Sequence, residues 1–422
     1  MLDIHYIREN RDEVKERLAI KNFTELNLVD KVIAIDENRR KIQKELDDVL
    51  AELNQSSRAI GQLFKEGKAT EANELKEQSA KYKERSKELE EDLRQVVKEL
   101  EDELFHIPNA AQKIVPVGNS EEDNELIKEW GDLPSLNDDA LPHWELAKKF
   151  ELFDLDLGSK ITGAGFPVYT GKGAKLQRSL INFFLDQAIE NGFQEVIPPL
   201  LVNEDSAYGT GQLPDKEGQM YITKDDPFYL IPTAEVPITN IYRDTIIDEK
   251  DLPVKLVGHT PCFRREAGSY GKEVRGLNRV HQFDKVEIVQ ITSADRSEDA
   301  LLEMVGYVEG LLKKLELPYR VLKLCGGDLG FASAITYDLE VYSAAQDMWL
   351  EVSSVSNFET FQSNRLKTRI KDSNNKKSLA HTLNGSALAL PRIVAALLEN
   401  NQKGDSIRIP EALVPYTFFS EI

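Results

Sequence analysis

The 422-residue chain has two cysteines, Cys262 and Cys325, and no run of 18 apolar residues. Two cysteines cannot build a disulfide framework, so disulfide-stapled classes are excluded and a reducing, cytoplasmic setting is expected. Without a long apolar run no membrane span is expected, and Met1 to Arg11 mixes acidic, basic and apolar residues rather than forming a signal peptide. Basic charge is in deficit, with 53 Lys+Arg against 73 Asp+Glu and a net charge of −20. Taken alone, that deficit argues against a polyanionic partner, because nucleic-acid binding releases counterions through cationic surface. What is present is ordinary globular material, 41% apolar and 30% charged, which excludes collagen-like and disordered classes and leaves room for two domains.

The charge is unevenly spread. Residues 1–100 hold 20 basic and 23 acidic side chains, with two glycines and no proline, as in a solvated helical segment. Residues 101–150 carry net −8 and Pro108, Pro116, Pro134 and Pro142, which break periodicity and predict an acidic linker over 106–150. Nearly all remaining glycine, proline and aromatic residues follow in 151–422, the composition of a compact mixed domain. In the first segment, steps of three and four from Val32 meet Ile35, Ile42, Leu46, Val49, Leu53, Ile60 and Leu63. A second seam runs through Ala72, Leu75, Tyr82, Leu89, Leu93, Val96 and Leu100. Two matched seams on either side of Gly61 and Gly67 bury each other by folding back, which predicts an antiparallel hairpin over about 28–100. That fold sets Arg39, Arg40, Lys41 and Lys44 near Lys81, Lys83, Arg85 and Lys87. Such residues either solvate a coiled coil and pair across it, or form a basic patch for a phosphate backbone.

In 151–422 there is no Walker loop, dinucleotide fingerprint, serine-hydrolase or kinase signature. His259 and Cys262 have ligand-like spacing without a second pair, so no zinc site is expected. Strands and hairpins from about 193 to 384, with few helices, predict an antiparallel sheet. Four segments carry chemistry. Gly192-Phe193 through Pro198-Pro199 follows an amphipathic helix over about 174–190. Thr233-Ala234-Glu235 starts a helix that Thr233 can cap. Phe263-Arg264-Arg265-Glu266 ends a strand, and His281 through Glu287 begins the return strand. Asn384-Gly385-Ser386 opens an apolar helix over about 386–400 that contains Arg392, with a kink at Pro391.

At these residues the chain resembles the class II aminoacyl-tRNA synthetases, specifically the seryl-tRNA synthetase family, over essentially its whole length. The segment with Gly192, Phe193 and Pro199 resembles motif 1, Phe263 through Glu287 motif 2, and Ser386 through Arg392 motif 3. Glu351-Val352-Ser353-Ser354 and the Thr-Ala-Glu string lie in the same order as in the family. The resemblance implies an α+β fold: an N-terminal antiparallel α-helical coiled-coil hairpin (residues 1–105, a tRNA-binding arm), a linker, and a class II catalytic core (151–422). That core is a seven-stranded antiparallel β-sheet with flanking helices, paired into a homodimer through motif 1.

It further implies that ATP activates L-serine to seryl-adenylate, which is passed to tRNA(Ser) and also tRNA(Sec), with no protein nucleophile. Arg264 would bind the α-phosphate and Arg392 the γ-phosphate, with Arg279 a further triphosphate ligand. Phe283 would stack on adenine and Glu266 read its amino group; Arg265, Val280, Val352 and Ser353 complete the ATP positions. Glu351 and Ser354 offer hard oxygens for Mg²⁺. Thr233, Ala234, Glu235, Glu287, Asn384 and Ser386 would line the serine pocket. The arm would meet tRNA by shape and backbone, giving the eight basic residues at 39–44 and 81–87 a role. Two further basic islands, 261–280 and 361–380, either approach the acceptor end or are solvated loops. Two alternatives are a synthetase-like ligase loading a carrier protein, disfavoured by the complete hairpin, and an inactive coiled-coil interaction protein, disfavoured by the retained Arg264, Arg392, Glu266, Glu287 and Glu351.

Overall fold

The computed structural model describes residues 1–422 except 138, 216–217 and 267–274. It divides into two compact units, one formed by 1–19 and 23–108 and the other by 20–22 and 109–422.

The first unit is helical: α1 (Ile4–Glu9), α2 (Arg11–Ile20), α3 (Asn27–Lys65) and α4 (Ala69–Leu104). At 39 and 36 residues, α3 and α4 each exceed about 50 Å in length and form the expected hairpin. The connection turns at Gly67, whose φ of +77° suits a residue without Cβ. Val32, Leu46, Ala72, Leu89 and Leu100 are buried along the seam, and the other apolar seam positions are at least half-buried. Arg85 bonds Glu45 at 2.7 Å and Lys31 bonds Glu103 at 2.6 Å, both from one helix to the other. Near its base, Asp36 is fully buried between Arg8 and Arg39, both at 2.7 Å. Burial pushes that carboxyl up, but the two guanidinium groups outweigh it and hold it below the usual carboxylate range.

The second unit centres on an eight-stranded sheet. Its strands in chain order are β1 (Glu125–Trp130), β2 (Gln194–Glu195), β3 (Val254–Phe263), β4 (Gln282–Thr292), β5 (Tyr319–Lys323), β6 (Ile335–Ser343), β7 (Met348–Asn357) and β8 (His381–Ala389). Their spatial order is β1-β5-β6-β7-β8-β4-β3-β2, antiparallel throughout except where β2 runs parallel to β3. The eighth strand is a departure from expectation: residues read as linker supply β1, which pairs with β5. Its sequence, ELIKEW, is exposed at every position, so no apolar alternation marked it.

Six helices matter for the site: α5 (His143–Phe150), α6 (Gly171–Glu190), α7 (Glu235–Asn240), α8 (Ser297–Lys314), α9 (Phe361–Leu366) and α10 (Leu390–Asn400). Leu180, Phe184, Leu301, Val308, Ile393 and Leu397 from α6, α8 and α10 bury against sheet residues such as Val257, Ile288, Leu339 and Leu383. A fully buried Leu or Ile contributes roughly 1.5–3 kcal/mol here. The helix expected from residue 386 is corrected: Asn384-Gly385-Ser386 lies within β8, and the helix begins only at Leu390. Pro391 therefore occupies the first turn, where a missing N–H costs nothing, and no kink results.

Candidate active site

Two cavities of about 530 and 900 Å³ share Glu235, Asn278, Arg279, Glu351, Ser354 and Arg392 in their walls. The smaller one carries most of the expected chemistry. On β4, Lys285 and Glu287 point to the same face and form a buried ion pair at 2.7 Å. Glu287 sits opposite Ser386 on β8, and Asn384 lies two residues along on the same face. Glu235 starts α7 across the cavity; its backbone N–H donates to the Thr233 hydroxyl at 3.2 Å, so Thr233 helps secure the helix start.

Glu235 has no cation bound to it among the described ion pairs; instead Gln362 on α9 donates to its Oε1 at 2.6 Å. Gln362 is itself fixed, donating to the Thr210 carbonyl and accepting from Thr382. Burial, followed by the nearby Glu287 charge, pushes Glu235 up to about 7, against the pull of Gln362, Lys285 and Asn384. Of these two neighbouring carboxylates, Glu287 is paired with a cation and Glu235 is not, among the described ion pairs.

On the other side of the cavity, the Arg264 guanidinium lies 5.4 Å from the Phe283 ring centroid and donates to the Pro232 carbonyl. Arg279 reaches Glu266 at 3.4 Å. Arg392 donates through Nε to the Asn278 carbonyl at 3.0 Å and through Nη1 to the Glu351 carbonyl at 2.7 Å. Period-two alternation would put Glu351 and Ser354 on opposite faces of β7. The pairing skips a residue there, Leu339 facing Ser353 while Glu340 faces Glu351, and this bulge at Val352 turns both side chains into the cavity. Opposite Ser354 on β6, burial and the Glu351 charge raise the Asp338 carboxyl well above its usual range.

Among the expected residues, Thr233, Glu235, Arg264, Glu266, Arg279, Val280, Phe283, Glu287, Glu351, Val352, Ser354, Asn384, Ser386 and Arg392 line this cavity. Ala234 is instead buried with Ile238, Leu256 and Val289, Ser353 donates to the Ser386 carbonyl at 2.6 Å, and exposed Arg265 bonds Gln219 through its backbone. Ala267, Gly268, Lys272 and Glu273 lie outside the described residues. Sequence reasoning missed Lys285, Gln362, Asn278 and Ser356; only Lys285 carried a signal, two residues before Glu287. His259 pairs with Asp284 at 2.7 Å.

The basic residues fall into two sets. On the hairpin, Arg39 is held by Asp36 and Arg85 by Glu45 and Glu88, whereas Arg40, Lys41, Lys44, Lys81, Lys83 and Lys87 are exposed with no ion pair among the described residues. In 361–380, Arg365 is buried between the Tyr208 and Phe361 rings and donates to the Tyr208 and Leu213 carbonyls; burial lowers it to about 10. It props the helix end and following turn at 208–213 rather than facing solvent. Lys371 pairs with Asp248 at 2.8 Å.

A mostly antiparallel sheet with this set of arginines and carboxylates is the catalytic core of a class II aminoacyl-tRNA synthetase, and residues 220–401 match the family model described as the tRNA synthetase class II core domain (G, H, P, S and T). Residues 1–111 match the seryl-tRNA synthetase N-terminal domain. Serine–tRNA ligases of Salinibacter ruber and Akkermansia muciniphila are 51% and 49% identical, over 100% and 99% of this chain and 99% and 97% of theirs. The crystal structure of seryl-tRNA synthetase from Pyrococcus horikoshii complexed with ATP superposes with a TM-score of 0.92 at 35% identity, covering 100% of this chain and 99% of that one. The chain belongs to the seryl-tRNA synthetase family and is a serine–tRNA ligase, activating serine with ATP and transferring it to tRNA.

Proposed function

We propose the following roles for the residues of this ligase. The serine ammonium pairs with Glu235, which has no cation among the described ion pairs, while the serine hydroxyl bonds Ser386 and also Glu287, the carboxylate whose charge Lys285 already balances. Thr233 and Asn384 complete the pocket. A lining built to bond a hydroxyl leaves its own groups unpaired when alanine enters, which gives selectivity. Arg264 stabilises charge at the α-phosphate as the serine carboxylate attacks it, Phe283 stacks on adenine, Glu266 bonds its amino group, and Arg279 and Arg392 hold the remaining phosphates. The convergence of Glu235, Glu287, Arg264 and Arg392 on one cavity carries this reading.

Glu351 and Ser354 present oxygens into the same cavity, a hard donor chemistry that fits Mg²⁺, and these two residues would hold it. Bound there, the ion would supply charge neutralisation for the triphosphate. Motif 1 residues Ile189, Ile197, Leu200 and Leu201 are exposed, Ile197 at 89%, and we assign them to a homodimer interface, tested by sedimentation of an Ile197→Asp variant. The hairpin's six unpaired basic residues bind the tRNA backbone, in tRNA(Ser) and equally in tRNA(Sec). Serine-dependent ATP–pyrophosphate exchange, followed by charging of each tRNA, tests the whole. Equal exchange with threonine or alanine would sink the serine pocket.

A further inference from the structure

The motif 2 return segment, Gly276 to Arg279, is gripped by a buried polar network that takes no part in the roles above. Leu277 donates its backbone N–H to His143 Nε2 at 2.8 Å. A backbone amide can only donate, so Nε2 carries no proton and the imidazole is the Nδ1–H tautomer. Nδ1 then donates to Glu399 at 2.7 Å. His143 and Glu399 are both fully buried. Glu399 also accepts from the His143 backbone N–H, Gln346 Nε2 and the Ser343 hydroxyl, so its carboxyl group is fully engaged.

Gln346 extends the network, accepting from Asn278 Nδ2 at 2.7 Å. Glu399 lies seven residues after Arg392 on α10, two turns along the same face. One helix therefore holds the segment twice: Arg392 bonds the Asn278 carbonyl directly, and Glu399 reaches Leu277 through His143. Gly276, at φ +64°, permits the approach, since a Cβ there would stand 2.1 Å from His143 Nε2.

We propose that His143 and Glu399 are positioning residues that set Arg279 and Arg392 at the spacing an ATP triphosphate requires. This rests on the assignment of those arginines to phosphates. Pyrophosphate exchange on the full-length enzyme tests it, with active sites counted from the adenylate burst. His143→Phe removes both ring bonds and should raise the KM for ATP about tenfold. The KM for serine should stay within about twofold. His143→Gln, which can both accept and donate, should restore most of the loss.

An unchanged ATP KM in His143→Phe, equal rises for ATP and serine, or no recovery by His143→Gln overturns the proposal. Should His143→Phe fail to fold, Gln346→Leu, which removes the Asn278 bond and the donors to Glu399 and Ser343 while leaving both His143 ring bonds, decides in the same way. Arg392→Ala separates the premise. If it spares the ATP KM, the phosphate assignment falls; if it raises the KM while His143→Phe does not, only the positioning role falls.

Discussion

In the hairpin, the apolar seam residues meet partners three, four or seven positions away or directly across one turn. In the second unit, Glu235, Glu287, Asn384 and Arg392 converge from α7, β4, β8 and α10. The hairpin is stabilised by a narrow apolar seam and by surface ion pairs worth little each. The catalytic unit keeps a wide apolar core around polar groups whose desolvation is offset only by specific partners. The contrast teaches that the proposed tRNA surface and the chemical site rest on different kinds of contact, and so should fail separately.

The largest expected effect divides the two directly. Deleting residues 30–100 should abolish tRNA charging while pyrophosphate exchange stays nearly intact; comparable losses in both assays would refute a hairpin devoted to tRNA. The converse lesion lies in the cavity. Arg264→Ala or Arg392→Ala should lower exchange by about 10²–10³-fold with tRNA affinity unchanged, read by filter binding.

A smaller effect follows from Glu235, held at about 7 by burial and Glu287. Only its ionised form pairs with the serine ammonium, so the serine KM should rise about tenfold as pH falls from 8 to 6, with the ATP KM flat. The stability consequence has the opposite sense. The folded protein keeps this proton between the ordinary Glu range and about pH 7 while the unfolded chain has lost it, so stability from this group is lost as pH rises through that window. Glu235→Gln should flatten both profiles, and an unaltered serine profile would hand the ammonium to Glu287.

How much was legible follows from the same contrast. The seam period and Gly67 sufficed for the hairpin, because its contacts are local. In the catalytic unit, the motif strings located the lining residues Arg264, Glu287, Glu351, Asn384 and Arg392, yet their neighbours were opaque. Gln362 meets Glu235 across more than a hundred residues of chain, and nothing near it announces a partner. The Val352 bulge is a property of pairing with β6, not of β7's own residues. Strand β1 lacks an apolar face, and the chain between Ser386 and Leu390 reads as helix because a strand buried on both faces shows no alternation.

The smallest effect asks whether the hairpin's basic residues are a surface for tRNA or a set of internal pairs. Sequence spacing groups eight side chains, but the structure separates them. Arg39 is committed to buried Asp36, and Arg85 to Glu45 and Glu88. Removing Arg39 leaves Asp36 buried with Arg8 as its remaining cation, so Arg39→Ala should lower the thermal midpoint of the helical unit and barely alter tRNA binding. Arg85→Ala, with both partners exposed, should change stability by less than about 1 kcal/mol. Lys81, Lys83 and Lys87 have no such commitments among the described residues, and each one that meets a phosphate releases counterions when tRNA binds. Replacing each with alanine should therefore leave the midpoint in place and reduce the slope of log affinity against log salt by up to about one per contact. A slope that falls for Arg39 and Arg85 as much as for the lysines would mean that the ion pairs open on binding, and that the hairpin's internal electrostatics and its RNA surface are one system.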